Sequence, residues 1–245
     1  MTENYRIECI PNVSTADPDV LEKICAAIHA VPEVDLRFVD TGLSANRTVF
    51  TYIGPAHAVF EATERLIEMA LDCIDMRKHT GVHPRMGAVD VCPFVLLDDE
   101  KFQAVFLKAV DQFIEHMGAK GLPIYTYEHS ARKPSRRNLA HVRKGEYEQL
   151  PSRFAQGDFP DVGPEIWNVA TAKSGVTAIG ARPLMVAFNV NLSGGTKNEL
   201  LIAAKQIARR IRERYGALPG RKSIGWSLPA RAAAQGGSNP TPPLT

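Results

Sequence analysis

The sequence predicts a mixed α+β fold, from two hydrophobic patterns and from their order along the chain. Short segments alternate apolar and polar residues, which is typical of half-buried strands, and longer segments repeat apolar residues at helical spacing. In the first part of the chain these segments follow one another as βαββαβ. That order is the signature of a ferredoxin-like unit, an antiparallel sheet covered on one face by two helices.

The first unit has clear start and stop signals. Asp17 is placed to cap a helix whose first position is Pro18, where proline is favoured, and Pro32 stops that helix. Residues 42–46 form the predicted turn of a hairpin. The predicted elements are a strand at 5–13, a helix at 18–31, strands at 34–38 and 47–53, a helix at 55–73 and a buried strand at 88–97.

Beyond this unit the pattern becomes less regular. Residues 131–165 are basic and polar and then rich in proline and glycine, which indicates a long surface connection. Its arginines and lysines are interpreted as a solvated face, with a patch for a polyanionic ligand as the alternative. The remaining predicted elements are a helix at 99–117, strands at 123–127, 184–192 and 222–228, a helix at 199–215, a small-residue, glycine-bearing segment at 175–182, and a mobile or extended tail.

These elements suggest two domains, residues 1–165 and a partial second unit with a proline-rich tail at 166–245. The second unit has too few predicted strands to complete a sheet like the first. A sheet with a missing strand leaves an unpaired edge, and self-association or packing on the first domain would cover that edge.

Composition limits the classes of partner. The chain of 245 residues has 29 basic and 27 acidic residues and a formal charge of +2, so net charge favours neither nucleic acid nor an anionic membrane as a partner. The beginning of the sequence lacks the basic and then apolar pattern of a signal peptide, and a cytoplasmic location is expected. The four cysteines form no CxxC pair, which favours reduced thiols in the core.

The segment from Asp75 to Phe94 carries the densest group of reactive side chains. His79 and His83 have the spacing of two zinc ligands on a helix, but Gly81 and Pro84 disfavour a regular helix, so no metal site is predicted. Imidazole suits general acid–base catalysis near neutral pH. Arg85 lies beside them and could bind a substrate carboxylate through two hydrogen bonds. His79 is also a candidate for substrate binding, and a purely structural role for one of the two histidines is the alternative.

Other candidates for substrate binding lie near the hairpin turn and in a later strand. Asp40, Asn46 and Arg47 flank the turn, and a purely structural turn is the alternative for them. Asn189 lies in an apolar strand, where a polar side chain requires a partner and could bind amide-like groups of a ligand.

Seven collinear segments lie between residues 7 and 229, namely IECIPNVS, NRTVFTYIG, IDMRKHTGVHPRMGAVDVCPF, IYTYE, RKGEYEQL, GVTAIGARPLMVAFNVNL and KSIGWSLP. Together they resemble the corresponding segments of the glutamate formimidoyltransferase family. The resemblance implies transfer of a formimidoyl group between N-formimidoyl-L-glutamate and tetrahydrofolate, a late step of histidine degradation, with tetrahydrofolate as co-substrate.

The resemblance also implies an architecture and a set of roles. It implies two ferredoxin-like subdomains with folate between them, the second shortened in this chain, and a homodimer. His83, in the motif HPRMG, corresponds to the family's catalytic histidine. The family's folate segment corresponds to a stretch that offers four candidates for folate binding, namely Gly163, Pro164, Trp167 and Gly175.

Two other functions remain open at the level of sequence. One is a non-catalytic or altered-substrate homologue that keeps a carboxylate pocket without enclosing folate. The other is a dimerisation or regulatory module, suggested by the sheet edge expected in the shortened second unit.

Overall fold

The computed structural model describes residues 5–185, 188–211, 221–228 and 233–240. The chain divides into two compact units, Met1–Arg182 and Pro183–Thr245. Helices and a many-stranded sheet are both present, so the prediction of a mixed α+β fold is confirmed.

The first unit is built on one sheet. Its strands are β1 (Arg6–Cys9), β2 (Asn12–Val13), β3 (Asp35–Gly42), β4 (Arg47–Pro55), β5 (Val89–Leu96), β6 (Ile124–Thr126) and β7 (Thr177–Ala181). β1 and β2 lie in line between β4 and β5, and β3 is the edge strand beside β4; all these pairs are antiparallel. β7 continues the sheet from β5, with β6 beyond it, and both of these pairs are parallel.

The longer helices of this unit match the sequence pattern closely. Asp17 caps the first of them by accepting a hydrogen bond of 2.9 Å from the Asp19 amide, as predicted. The helices are α1 (Pro18–His29), α2 (Ala56–Cys73), α3 (Gln103–Ala119), α4 (Leu139–Val142), α5 (Leu150–Ala155) and α6 (Val169–Ser174).

Alternation along β4 divides the sheet into two faces. Phe50 and Tyr52 are fully buried in the core with Leu66 of α2, whereas Val49 and Thr51 are half-exposed on the opposite face. Burying a large apolar side chain contributes about 1.5 to 3 kcal/mol, so this core fixes which β4 residues face outward. The element order βαββαβ predicted for residues 5–97 is observed.

β7 lies in the first unit, although the predicted boundary placed it after residue 165. The division between the units comes after Arg182, and β7 fills the gap between β5 and β6. Small residues make this position possible, because a Cβ on Gly180 would lie 2.2 Å from the carbonyl oxygen of Tyr127. The short helix α6 before β7 was not predicted from the sequence.

The interpretation of residues 131–165 as a surface connection with a solvated basic face is wrong for its key arginines. Arg136 is buried and pairs with Asp158 at 2.6 Å and with Asp161. The guanidinium groups of Arg136 and Arg153 lie 4.1 and 4.5 Å from the Tyr125 ring centroid. The segment therefore folds onto the unit, through α4, α5 and buried ion pairs.

The second unit contains β8 (Phe188–Leu192), α7 (Lys197–Ile211), β9 (Arg221–Leu228) and β10 (Ala233–Pro240). β10 pairs antiparallel with both β8 and β9, so residues 233–240 form a strand where a mobile or extended tail was expected. Residues 212–215 of the predicted helix lie outside the described residues. In the part of the chain that the structure describes, every helix is too short or too polar to span a bilayer.

Gly175 offers a test of the close approach that brings β7 to the loop before β5. Its φ is +66°, and an added Cβ would lie 2.1 Å from the carbonyl oxygen of Met86. Gly175→Ala is expected to lower the free energy of unfolding by about 2 to 4 kcal/mol, since both backbone strain and a steric clash are introduced. Urea denaturation followed by circular dichroism measures the loss.

Gly157 is the matched control. It also has a positive φ, +79°, but an added Cβ would meet nothing within 4 Å. Gly157→Ala should cost only about 1 kcal/mol, from backbone strain alone. Equal losses in the two variants would contradict the role assigned to the contact with Met86.

Candidate active site

The loop between α2 and β5, residues 74–88, is irregular, as Gly81 and Pro84 predicted. Gly81 packs against the hairpin turn so closely that a Cβ would lie 2.2 Å from the carbonyl oxygen of Ala45. Asn46, in the left-handed region with φ 46°, donates to the Thr80 carbonyl at 2.9 Å and accepts from the Ala16 amide at 3.0 Å. The turn therefore holds one side of the loop.

His83 lies at the centre of this loop and is partly buried. Its Nδ1 lies 2.8 Å from the Pro84 carbonyl oxygen, which assigns the ring proton to Nδ1. Its Nε2 then carries the lone pair and accepts from Nη1 of Arg47 at 2.6 Å, and the same Nη1 lies 2.8 Å from Nδ1. Arg47 also donates through Nη2 to the Asn12 side-chain oxygen. Asn12 of β2 therefore holds the guanidinium of Arg47, the first residue of β4, in contact with the imidazole of His83.

Asp90, the second residue of β5, closes the other side of the loop. It is fully buried and accepts a hydrogen bond of 3.0 Å from the Met86 amide. It also accepts from Nη2 of Arg143, the residue that follows α4. This pair connects the loop to a segment more than fifty residues later in the chain.

Burial and neighbouring charge together set the proton affinity of these groups. Burial, followed by the cations Arg47 and Arg143, lowers the pKa of His83 to about 4. Burial and the Arg143 charge lower the pKa of Arg47 to about 10, against a smaller opposing effect of Asp90. His83 is therefore a neutral imidazole at pH 7, in a region where two cations face one carboxylate.

The positive charge of this region is incompletely paired. The Nε atoms of Arg47 and Arg143 are buried and have no hydrogen-bond partner among the described residues. A buried N–H group without a partner costs about 1 to 3 kcal/mol, so a site that keeps two of them is suited to an acceptor from outside the protein. A carboxylate supplies such acceptors together with compensating charge.

His79 and Arg85 form a separate group beside His83. Arg85 donates to both carboxylate oxygens of Glu148, at 2.8 and 2.6 Å, and to Nδ1 of His79 at 3.2 Å. His79 Nε2 lies 2.8 Å from the Asn46 carbonyl oxygen, and burial lowers the pKa of His79. Arg85 already holds a bidentate carboxylate of the chain itself, and its role in binding substrate stays a prediction.

Asp40 lies on the same sheet face as the histidine pocket. It is exposed on β3 and pairs with Val49, which pairs in turn with Asn12 of β2. Side chains of paired residues point to one face, and two strand spacings separate Asp40 and Asn12 by about 10 Å. The structure therefore places Asp40 at the rim of the pocket.

The four candidates for folate binding lie in three places. A Cβ on Gly163 would lie 2.1 Å from the Leu122 carbonyl oxygen, which gives this glycine and the following Pro164 a position beside β6. Trp167 packs on Tyr147 and Phe154 with ring centroids 5.8 and 5.4 Å apart. Gly175 lies against Met86 and Gly87, near the end of the 74–88 loop. Their contact with folate stays a prediction.

Asn189 lies in β8 of the second unit, opposite Gly237 of β10 in the strand register. Its side chain lies outside the described part of the structure. Among the described residues, no group of three or more His, Cys, Asp and Glu side chains is arranged to hold a metal ion.

Sequence reasoning missed the parts that Asn12 and Arg143 play in the pocket. Asn12 lies within the predicted strand 5–13 with no role assigned to it, and Arg143 belongs to the basic segment 131–165 that was interpreted as a solvated face. The available signal was Asp90, a carboxylate inside an otherwise apolar buried strand, which requires a cationic or amide partner.

Comparison with known sequences agrees with this geometry. Residues 6–182 match the profile of the formiminotransferase domain, N-terminal subdomain. The chain belongs to this formiminotransferase family. The range matched covers every residue of the His83 pocket described above.

Curated relatives extend the match beyond residue 182. The glutamate formimidoyltransferase of Streptococcus pyogenes is 41% identical over 94% of this chain and 75% of its own length. That of Thermoplasma acidophilum is 36% identical over 91% of this chain and 72% of its own. The formimidoyltransferase-cyclodeaminase of Gallus gallus is 38% identical, and the match covers 95% of this chain but 43% of that protein.

Among solved structures, the periplasmic protease PqqL of Escherichia coli aligns over 97% of this chain and 32% of its own. It does so at 9% identity and a TM-score of 0.22, which carries no structural argument.

The lowered pKa of His83 makes stability depend on pH in a defined direction. Below its ordinary pKa of 6.5 the unfolded chain binds a proton at this residue, while the folded chain binds it only near pH 4. Stability therefore falls as pH drops through this window. Between pH 7 and pH 5, the free energy of unfolding of His83→Gln should fall by about 1 to 2 kcal/mol less than that of the wild-type protein. Urea denaturation at each pH measures the difference.

His141 is exposed and serves as the control. His141→Gln should leave the acid sensitivity of the wild-type protein unchanged. The same loss of stability in the wild type and in His83→Gln would contradict a neutral, buried His83.

Proposed function

We propose that this chain is a tetrahydrofolate-dependent glutamate formimidoyltransferase, which moves a formimidoyl group between N-formimidoyl-L-glutamate and tetrahydrofolate in histidine degradation. The observation that carries the proposal is the position of His83. Its Nδ1 proton is engaged by the Pro84 carbonyl, and its Nε2 lone pair lies beside the Arg47 guanidinium. A neutral imidazole in a cationic pocket suits proton transfer on an anionic substrate. Family membership and the names of the relatives support the same activity.

In the proposed mechanism His83 accepts one proton and then donates it. It accepts the proton from the nitrogen of tetrahydrofolate that attacks the formimidoyl carbon, and returns it to the nitrogen of glutamate as the old carbon–nitrogen bond breaks. The proton that leaves one amine is delivered to the other, so the step balances without a further reactant. The reverse transfer uses the same residue in the opposite order.

Arg47 links substrate binding to this proton transfer. In the ligand-free protein its Nη1 occupies the Nε2 lone pair that a base requires. A substrate carboxylate that takes over the Arg47 N–H groups would release Nε2, and its negative charge would raise the pKa of His83 toward neutral pH. Binding of an anionic substrate and formation of an effective base are then the same event.

Replacement of His83 tests the catalytic role. His83→Asn should keep the fold and lower the rate of formimidoyl transfer from N-formimidoyl-glutamate to tetrahydrofolate by about 10²- to 10⁴-fold, the usual contribution of a general acid–base group. Turnover is followed by the formation of the transferred folate product. His141→Asn, at an exposed position, should keep full activity, and near-normal turnover in His83→Asn would remove this residue from the mechanism.

Each of the two units, Met1–Arg182 and Pro183–Thr245, is proposed to contain a ferredoxin-like subdomain, the first carrying the formimidoyltransferase loop and the second being partial. The strand order β3, β4, β1–β2, β5, all antiparallel, supports this for the first unit. Val49, Thr51 and Ile53 form a half-exposed strip on β4, next to Arg47. An apolar strip with a few polar groups at its end fits the flat rings of folate.

Binding of tetrahydrofolate separates this proposal from a homologue that holds only a carboxylate ligand. Isothermal titration should give saturable binding in the micromolar to low millimolar range, and Val49→Asp should weaken it, since a carboxylate would be desolvated by the rings. Val39→Asp, on the exposed edge strand, is the control. No saturable binding by the wild-type protein up to millimolar concentration would favour the alternative.

The protein is further proposed to act as a homodimer in the cytoplasm. Phe38 on the edge strand β3 is 69% exposed, which supports a surface that associates. All four cysteines lie among the described residues as free thiols, and Cys9 and Cys92 share a thiol hydrogen bond of 3.6 Å in place of a disulfide, which supports a reducing compartment. A monomer by light scattering would contradict the first statement.

A further inference from the structure

Arg143 is linked to the pocket by its ion pair with the buried Asp90. Asp90 has no exposed surface and takes two donors, the Met86 amide and Nη2 of Arg143. Met86 lies three residues after His83 in the same loop. One carboxylate therefore connects the backbone of the catalytic loop to a cation supplied by α4.

A second ion-pair network fixes the position of Arg143. Arg153 donates to the carbonyl oxygen of Val142 at 2.7 Å and to Asp158 at 2.8 Å. Asp158 also accepts from the buried Arg136 at 2.6 Å. The residue before Arg143 is thus held by Arg153, which is itself paired with Asp158 beside the buried Arg136, and the arginine has little freedom to leave the pocket.

We propose that Arg143 is a positioning residue for the transfer reaction, which fixes the loop through Asp90 and, together with Arg47, keeps His83 unprotonated until an anionic substrate arrives. The inference deepens the proposed function and rests on it for the role of His83. Its electrostatic part concerns the ligand-free protein and can be measured without turnover.

The charges around His83 come from three elements. Arg47 on β4 contacts it directly, whereas Arg143, which follows α4, and Asp90 on β5 act on it through their charges. On its own loop, His79 and Arg85 are engaged with each other and with Glu148. Both arginines lower the pKa of His83 and Asp90 raises it, so removal of Arg143 and removal of Asp90 should act in opposite directions.

Titration of His83 by nuclear magnetic resonance in the ligand-free protein tests the proposal, with its signal assigned from the spectrum of His83→Gln. Arg143→Met should raise the pKa of His83 by about one unit or more, since a cation is lost and the charge of Asp90 is left uncompensated. Arg143→Lys should restore most of the wild-type value. Arg137→Met, which removes an exposed cation of the same segment, is the matched control and should leave the titration unchanged.

Asp90→Asn gives a second test, in which the pKa of His83 should change in the opposite direction. This test can be made even if Arg143→Met fails to fold. The asparagine oxygen can still accept from the Met86 amide, but the negative charge is gone, so the pKa of His83 should fall further. Either an unchanged titration in folded Arg143→Met or an unchanged or raised pKa in Asp90→Asn would overturn the proposal.

Activity gives a third result that separates this inference from the proposed function. The acid limb of the kcat/KM profile should move to higher pH in Arg143→Met and return in Arg143→Lys, since this limb follows the free enzyme. A pH limb that does not move while the wild type transfers formimidoyl groups overturns only the role of Arg143. Absence of transfer in the wild type, with the titration as expected, overturns only the proposed function.

Discussion

The pocket depends on a single fully buried carboxylate. Asp90 takes one hydrogen bond from the 74–88 loop and one from Arg143, so this loop, the strand that follows it and a segment more than fifty residues later meet on two oxygen atoms. An isolated carboxylate in this position would be strongly unfavourable, because its desolvation has to be offset by direct partners. Neither the loop nor α4 can move away without leaving that charge uncompensated, and the position of His83 follows from this constraint.

The same constraint leaves the pocket with an excess of positive charge. Two arginines lie beside one carboxylate, and the Nε atom of each arginine is buried without a partner in the described structure. Such an arrangement destabilises the ligand-free folded protein, and the charge and hydrogen-bond acceptors of a bound anionic ligand would offset this destabilisation. A dicarboxylate such as N-formimidoyl-glutamate carries the charge that the pocket lacks, which connects the electrostatics of the empty site with the choice of substrate.

Local sequence patterns were sufficient to predict the order of strands and helices but not the residues that surround the pocket. Alternation in β4 and the cap at Asp17 are decided by neighbouring residues, so the order βαββαβ and the irregular loop could be predicted. The position of β7 could not, because its small residues have no strong local preference and it pairs with strands far away in sequence. Arg136 and Arg143 look like solvated cations until Asp161 and Asp90 are placed beside them by the fold.

The core determines the chemistry through the register of the strands. Phe50 and Tyr52 must face the helices, and since side chains alternate in a strand, Arg47 must then face the opposite side. Asn12 and Val49 are paired, which sets the Asn12 side chain on the same face as Arg47. A slip of one residue in β4 would place Arg47 in the apolar core and Phe50 at the pocket. The geometry around His83 is therefore a consequence of apolar packing on the other side of the sheet. The polar residues of the pocket set only the final side-chain contacts.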